Sequence, residues 1–288
     1  MKPQSQESRK RADADASTLL LKPDDDAEQE RGAFVVDDGV CRYLHFSNAY
    51  VQSQMSNDDP FALDLGYTRM MMAFLLFLPR PRDIAIVGLG GGSLTKFCYR
   101  QLPRSRITTV EIDRQVIEFA DFFHIPEQDE RMRIVHADAV DFFAKGRDRF
   151  DVILLDGCNE RGIAPSFADL RFYDNLQARL RPKGMLVSNM VGSEDDVAEH
   201  RAYIDRAFGG RRIELRLARE GTRIGYAFND AGIAFDWPAI RARAKNLATA
   251  HPLDFAAFAR QLERGHRQNP ASGHNQTPSR TARETDPT

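Results

Sequence analysis

Cysteine is scarce: Cys41, Cys98 and Cys158 are the only three in 288 residues, too few and too scattered for a disulfide framework or a CxxC-type zinc site. The expectation is a reducing, cytoplasmic compartment and no metal. Charge of either sign is nearly balanced, with 40 Lys+Arg against 42 Asp+Glu leaving a formal −2. No overall cationic field is therefore available for a phosphate backbone, and nucleic acid is not expected as a partner. Long hydrophobic runs are missing. The most apolar stretch, Met70 to Leu78, is less than half of the ~20 residues a membrane span needs. Behind Lys2, Arg9, Lys10 and Arg11 there is no apolar segment to act as a secretory signal, and no membrane partner is expected.

Apolar residues are also lacking at both ends. Residues 1–31, with the run Asp24-Asp25-Asp26, and residues 265–288 hold too little core-forming material and read as disordered tails. Between them, residues 32–60 read as an N-terminal β-hairpin segment, because Asp37-Asp38-Gly39 separates the β-prone runs Phe34–Val36 and Cys41–Phe46. Residues 61–264 read as one catalytic domain. It opens with a helix over 61–78, stopped by Pro79 and Pro81. Strands are expected at 83–88, 107–111, 132–136, 150–155 and 184–189, and helices around 93–101, 114–122, 139–144, 169–180 and 195–208. That alternation marks βαβ units and a parallel sheet. The runs 211–217 and 223–228, turning at Glu220-Gly221, form a terminal antiparallel pair, and amphipathic stretches near 236–248 and 253–263 follow.

Chemistry-bearing residues gather at the ends of these strands. The first strand runs into Gly88-Leu89-Gly90-Gly91-Gly92 and then a helix, a turn in which Gly88, Gly90 and Gly92 let backbone lie close to a bound nucleoside. Glu111 ends the second strand, 23 residues past Gly88, where a carboxylate would meet ribose hydroxyls. Asp138, followed by Ala139 after the third strand, suits an adenine amine or a helix N-cap, and the two roles are compatible. Asp156 ends the fourth strand, facing the crevice in which α/β sheets bind ligands, and could hold a cationic group or take its proton.

The series of glycine loop, Glu111, Asp138 and Asp156, followed by Phe172-Tyr173 and Leu180-Arg181-Pro182-Lys183-Gly184, resembles the class I S-adenosylmethionine-dependent transferase fold. Within it the chain is most similar to the spermidine synthases, the polyamine aminopropyltransferases. That branch is favoured by the early segment Tyr50-Val51-Gln52-Ser53, by Tyr67 on the pre-core helix, by Phe150–Asp156, and by the stretch from Gly162 to Tyr173. The resemblance implies a Rossmann-like, doubly wound α/β sheet of about seven strands ending in an antiparallel hairpin, and a homodimer. It implies metal-free transfer of an aminopropyl group from decarboxylated S-adenosylmethionine to a small-molecule amine, releasing methylthioadenosine. Carried over, Glu111 binds the ribose, Asp138 with Ala139 the adenine, and Gln52 the donor. Asp156 is base or amine anchor with Tyr67 beside it, and Asn159 and Tyr173 face the substrate.

The chain departs from that pattern. Gly91 stands where the family carries an aspartate toward the donor's amino group, and Asp156-Gly157-Cys158-Asn159 replaces Asp-Ser-Ser-Asp, so a second acid is neutral. Arg69 adds a cation near Tyr67 in sequence. A glycine at 91 tolerates the carboxylate of intact S-adenosylmethionine, which keeps a methyltransferase as the alternative and a non-catalytic nucleoside-binding scaffold as a third reading. His124 and Cys158 read as structural, and Arg211, Arg212, Arg216 and Arg219 as a solvated face.

Overall fold

The computed structural model describes residues 32–47, 50–159 and 162–268; the expectations for 1–31 and for the tail beyond Gln268 lie outside them. Strands β1 (Phe34–Asp37), β2 (Cys41–Ser47) and β3 (Tyr50–Ser56) form a small antiparallel sheet. The Asp-Gly turn works as its residues demand: Gly39 takes φ 85°, and the Asp37 and Asp38 carboxylates accept the N–H groups of Gly39, Val40 and Cys41. The expected hairpin is one strand short. Among the β3 residues whose burial is described, Ser53 and Met55 are the buried ones, and the polar residues beside them hide the period-two pattern.

The helix expected over 61–78 is also corrected. Only Gly66–Met71 (α1) is α-helical, and Met72–Leu76 continues as a 3₁₀ turn. Residues Met70 to Leu76 are at most 3% exposed, so the run is apolar all round and carries no periodicity to fix its helical type or limits.

The main sheet is built from β4 (Asp83–Val87), β5 (Arg106–Glu111), β6 (Met132–His136), β7 (Phe150–Leu155), β10 (Leu180–Val191), β11 (Arg212–Leu217) and β12 (Thr222–Phe228), in the order β11-β12-β10-β7-β4-β5-β6. A two-stranded pair, β8 (Cys158–Asn159) with β9 (Gly162–Ile163), follows β7. The crossovers carry α2 (Ser93–Gln101), α3 (Arg114–Glu118), α4 (Ala139–Lys145), α5 (Leu170–Arg179) and α6 (Glu194–Phe208). Neighbours from β10 through β6 are parallel, and β12 joins β10 and β11 antiparallel. In β4, Ile84 and Ile86 enter one core cluster while Ala85 and Val87 enter the other. A strand apolar on both faces is what a sheet covered on both sides requires.

Helices α7 (Trp237–Ala250) and α8 (Phe255–Gln268) pack beside the 3₁₀ turn and β11. The expected tail boundary at 265 moves: α8 runs on to Gln268, and Gly265 lies so close to β11 that a Cβ would stand 2.8 Å from the Glu214 carbonyl. Among the described residues no helix is long and apolar enough to cross a membrane. The arginine face is corrected at Arg212, which is largely buried and bonds Asp205 and Glu214 at 2.5 and 2.9 Å. Buried Glu214 also pairs with Arg201 at 2.9 Å and Arg223 at 3.6 Å, so its charge is well compensated.

Candidate active site

Strands β4 and β7 are neighbours, but the chain leaves β4 toward β5 and reaches β7 from the other side, so their carboxyl-terminal loops diverge and leave a crevice. At its floor Gly88 takes φ 90°, and a Cβ there would lie 2.4 Å from the Asp156 carbonyl; only glycine lets the two strand ends approach so closely. A cavity of about 720 Å³ opens above them, within the range of small-molecule sites.

One half of the cavity is walled by the glycine loop and by the acids at the ends of β5 and β6. Leu89, Gly90, Glu111, Ile112, Asp138 and Ala139 line it, with Gln52 contributed by β3. Glu111 accepts the Leu89 N–H at 2.7 Å and the Asp113 N–H at 2.9 Å, which fixes the glycine loop to the end of β5. Asp138 both lines the cavity and caps α4, accepting the Val140 N–H at 2.7 Å. Gly92 does not line it; with φ 71° it is the N-cap of α2. A Cβ on Gly91 would meet Ser53 Oγ at 2.8 Å and Phe123 Cδ1 at 2.9 Å. Buried Lys96, its pKa lowered by burial to about 8, donates to the Phe123 backbone carbonyl at 2.6 Å and anchors the chain at that residue. The space a side chain at 91 would need is already filled.

The other half centres on Asp156. Burial raises its pKa to about 6, opposed by hydrogen bonds from Asn189 and Tyr67. Asn189 Nδ2 donates to Asp156 Oδ1 at 2.8 Å, and Thr222 Oγ1 donates to Asn189 Oδ1 at 2.5 Å. Tyr67, on α1, lies between two acids, and burial together with Asp156 lifts its phenol well above the ordinary value. The second acid is Glu220, from the turn between β11 and β12, which accepts the Tyr67 backbone N–H at 2.5 Å. Burial also lifts the Cys158 thiol, which lines the cavity as a neutral group. Arg69 brings no cation to the cavity wall: its guanidinium donates to the Leu63 and Asp64 carbonyls at 2.8 Å each.

Asn189, Thr222 and Glu220 were not legible from the sequence. Each comes from a late strand or turn with no motif around it; the signal at hand was the polar pair Ser188-Asn189 inside an apolar strand, since buried polar residues need a reason. Tyr173, expected at the substrate, is corrected. It is fully buried between α5 and α6, with its hydroxyl 2.5 Å from His200 Nδ1, and it does not line the cavity. Its position as the fourth residue of an amphipathic helix turned it into the core. Asn159 stands in β8 opposite Gly162, one residue beyond the cavity-lining Cys158.

A doubly wound sheet with a cavity at its switch point, acids at three parallel-strand ends and a terminal antiparallel hairpin defines a class I methyltransferase-like α/β protein. The sequence narrows this further: residues 64–207 match the spermine/spermidine synthase domain, and the chain belongs to that family of enzymes. A polyamine aminopropyltransferase of Chromobacterium violaceum is 34% identical over 244 residues, covering 83% of this chain and 92% of the relative. The human eEF1A lysine and N-terminal methyltransferase is 32% identical over 155 residues, 48% of this chain and 22% of its own. In three dimensions, a probable spermidine synthase of Corynebacterium glutamicum superposes with a TM-score of 0.63 at 18% identity, over 74% of this chain and 83% of that one.

Proposed function

We propose that the protein transfers an aminopropyl group from decarboxylated S-adenosylmethionine to a small aliphatic amine and releases methylthioadenosine. One observation carries this reading: Glu111, Asp113, Asp138, Asp156 and Glu220 line the cavity, and none of the described lining residues is Lys, Arg or His. Such a cavity favours cations on both sides of the reaction, a sulfonium donor and an amine acceptor, and offers no basic side chain to a ligand carboxylate. It therefore favours the decarboxylated donor over the intact one, despite the glycine at 91.

The chemistry asks little beyond placement and a proton sink. The amine lone pair attacks the methylene next to sulfur, the carbon–sulfur bond breaks with its electrons passing to sulfur, and the sulfonium becomes a neutral thioether. The attacking nitrogen must first be unprotonated. Asp156, with a pKa of about 6, is mostly ionised at neutral pH and sits where it can accept or hold that proton. Glu111 and Asp138 orient the nucleoside, and Gln52 closes the donor side. The rate gain comes chiefly from alignment.

A second reading, methyl transfer from intact S-adenosylmethionine to an amine, draws on the absent acid at Gly91 and on the lysine and N-terminal methyltransferase relative. Calorimetric titration with decarboxylated donor, intact donor and methylthioadenosine separates them. Tighter binding of the decarboxylated donor, with methylthioadenosine formed when an amine is added, is the expected outcome. Preference for intact S-adenosylmethionine, with S-adenosylhomocysteine as the product, would replace aminopropyl by methyl transfer.

A further inference from the structure

We infer that the amino-terminal end of the parallel sheet, opposite the active site, binds the backbone of a phosphate polyanion. Nothing in this binding depends on which group the enzyme transfers.

A basic pair at i, i+2 stands at the start of each of the five parallel strands: Arg80-Pro-Arg82 at β4, Arg104-Ser-Arg106 at β5, Arg131-Met-Arg133 at β6, Arg147-Asp-Arg149 at β7 and Arg181-Pro-Lys183 at β10. These strands are parallel neighbours in the order β10-β7-β4-β5-β6, so all ten cations fall at one end of the sheet. At the usual strand spacing of about 4.8 Å the row is about 19 Å long. The segments 80–83, 104–106, 129–133, 147–151 and 181–183 hold five acids, Asp83, Asp129, Glu130, Asp148 and Asp151, against those ten cations, an excess of five positive charges. The cavity at the other end of the sheet is lined by acids, with no Lys, Arg or His among its described residues. The formal net charge of −2 thus averages two ends of opposite sign, and a cationic field absent from the molecule as a whole is present locally.

Internal pairing uses only part of these cations. Arg106 and Arg181 bond Asp83 at 2.6 and 2.8 Å, and Arg133 bonds Asp148 at 2.6 Å. Arg80, Arg82, Arg104, Arg147 and Lys183 are exposed, and among the described residues none of their side chains has an acidic partner. Helix C-termini do not call for them, because α2, α4 and α5 carry Arg100, Lys145 and Arg179 in their own last turns. Solvation needs cations anywhere on the surface; it does not need two at the start of every parallel strand. A cavity of about 330 Å³ lies among these strand ends, with Arg106, Arg131, Arg133, Arg149 and Arg181 in its wall. A row of this length exceeds what one phosphate can use and suits an extended chain of them. No open aromatic platform stands beside it: Arg131 covers the Tyr99 ring at 4.3 Å, and Phe150 is buried. Bases would go unread, and binding rests on backbone charge. An RNA backbone and inorganic polyphosphate share that chemistry.

The test is fluorescence anisotropy of the full chain with a labelled short oligouridine, in competition with inorganic polyphosphate and with monomeric phosphate. One phosphate per strand start predicts a slope of log Kobs against log salt of about −3.5, hence on the order of 100-fold weaker binding for a fourfold rise in salt. The triple variant R80Q/R104Q/R147Q should cut the slope to about −1.4. An equal loss of charge at exposed positions elsewhere, R219Q/R260Q/R264Q, should leave slope and affinity at wild type. Melting curves verify that both triples are folded. Displacement by polyphosphate and not by phosphate is expected; RNA that resists polyphosphate assigns the site to RNA, and binding of polyphosphate alone assigns it to polyphosphate. Binding of neither polymer at low salt, binding undiminished in R80Q/R104Q/R147Q, or an equal loss in the control triple would overturn the assignment.

Discussion

The Asn189 amide donates to the Asp156 carboxylate at 2.8 Å and is the first of the two hydrogen bonds that hold this acid down against its burial. Asn189 is itself pinned by Thr222, so the amide has one orientation and only its N–H face meets Asp156. A neutral amide on β10 thereby moderates the proton affinity that burial gives this carboxylate.

Replacing Asp156 by Asn should leave folding and methylthioadenosine affinity near wild type while turnover falls at least ~100-fold, the low end for general acid–base groups. Steady-state turnover beside calorimetry checks both halves. Wild-type turnover in D156N would falsify a role for this carboxylate in the chemistry.

The pH dependence follows from the raised pKa. Folded Asp156 holds its proton more tightly than the unfolded chain does, so its contribution to stability is fully present below the ordinary carboxylate pKa of ~3.9 and is lost as pH rises through about 6. Activity runs the other way, because the ionised form is needed, and kcat should climb through an acidic limb near pH 6. In N189A the limb should move to higher pH, since a hydrogen bond to the ionised form is gone. A limb that stays in place in N189A assigns it to another group.

Substituting Gly91 by Asp should not restore a donor-binding acid. The new Cβ collides with Ser53 and with Phe123, an overpacking that costs ~1–3 kcal/mol and lowers the melting temperature by several degrees. Scanning calorimetry and donor titration measure the two effects. A stable G91D with tighter donor binding would show that Phe123 yields.

Tyr173→Phe should cost stability and spare catalysis. It leaves buried His200 Nδ1 without its partner, a loss of ~1–3 kcal/mol for an unsatisfied buried group, while kcat per folded molecule stays at wild type because the side chain lies outside the cavity. Urea unfolding and turnover on the same preparation report both; a fall in kcat would return Tyr173 to the site.

The parallel strands were legible because the central ones, β4 and β7, are short apolar runs that end at turns and β5 and β6 repeat their spacing, and the rule that ligands lie beyond their carboxyl ends then pointed to Glu111, Asp138 and Asp156. No such rule covers an acid in an antiparallel turn. Glu220 stands 64 residues beyond Asp156, next to Gly221, where it reads as a solvated turn residue, and only the docking of that hairpin against α1 gives it a role. Tyr173 failed for the opposite reason: its motif matched, but the amphipathic helix that carries it faces the core. Ser53 and Met55 were too sparse a signal for β3, and the run from Met70 to Leu76 was too uniform to reveal where helix becomes 3₁₀ turn.

The two halves of the cavity differ in how far the chain must travel to close them. Glu111 reaches Leu89 across 22 residues, whereas Tyr67 meets Glu220 across 153, and Tyr226 meets the Met70 carbonyl at 2.6 Å across 156. Contacts so distant in sequence form late, because loop closure must be completed before they contribute. A chain leaving the ribosome therefore has its nucleoside floor, β4 to α4, before the residues that complete the acceptor wall have been synthesised. In refolding, methylthioadenosine binding should return ahead of turnover, and the protein acquires its cofactor-sized cleft before it becomes an enzyme.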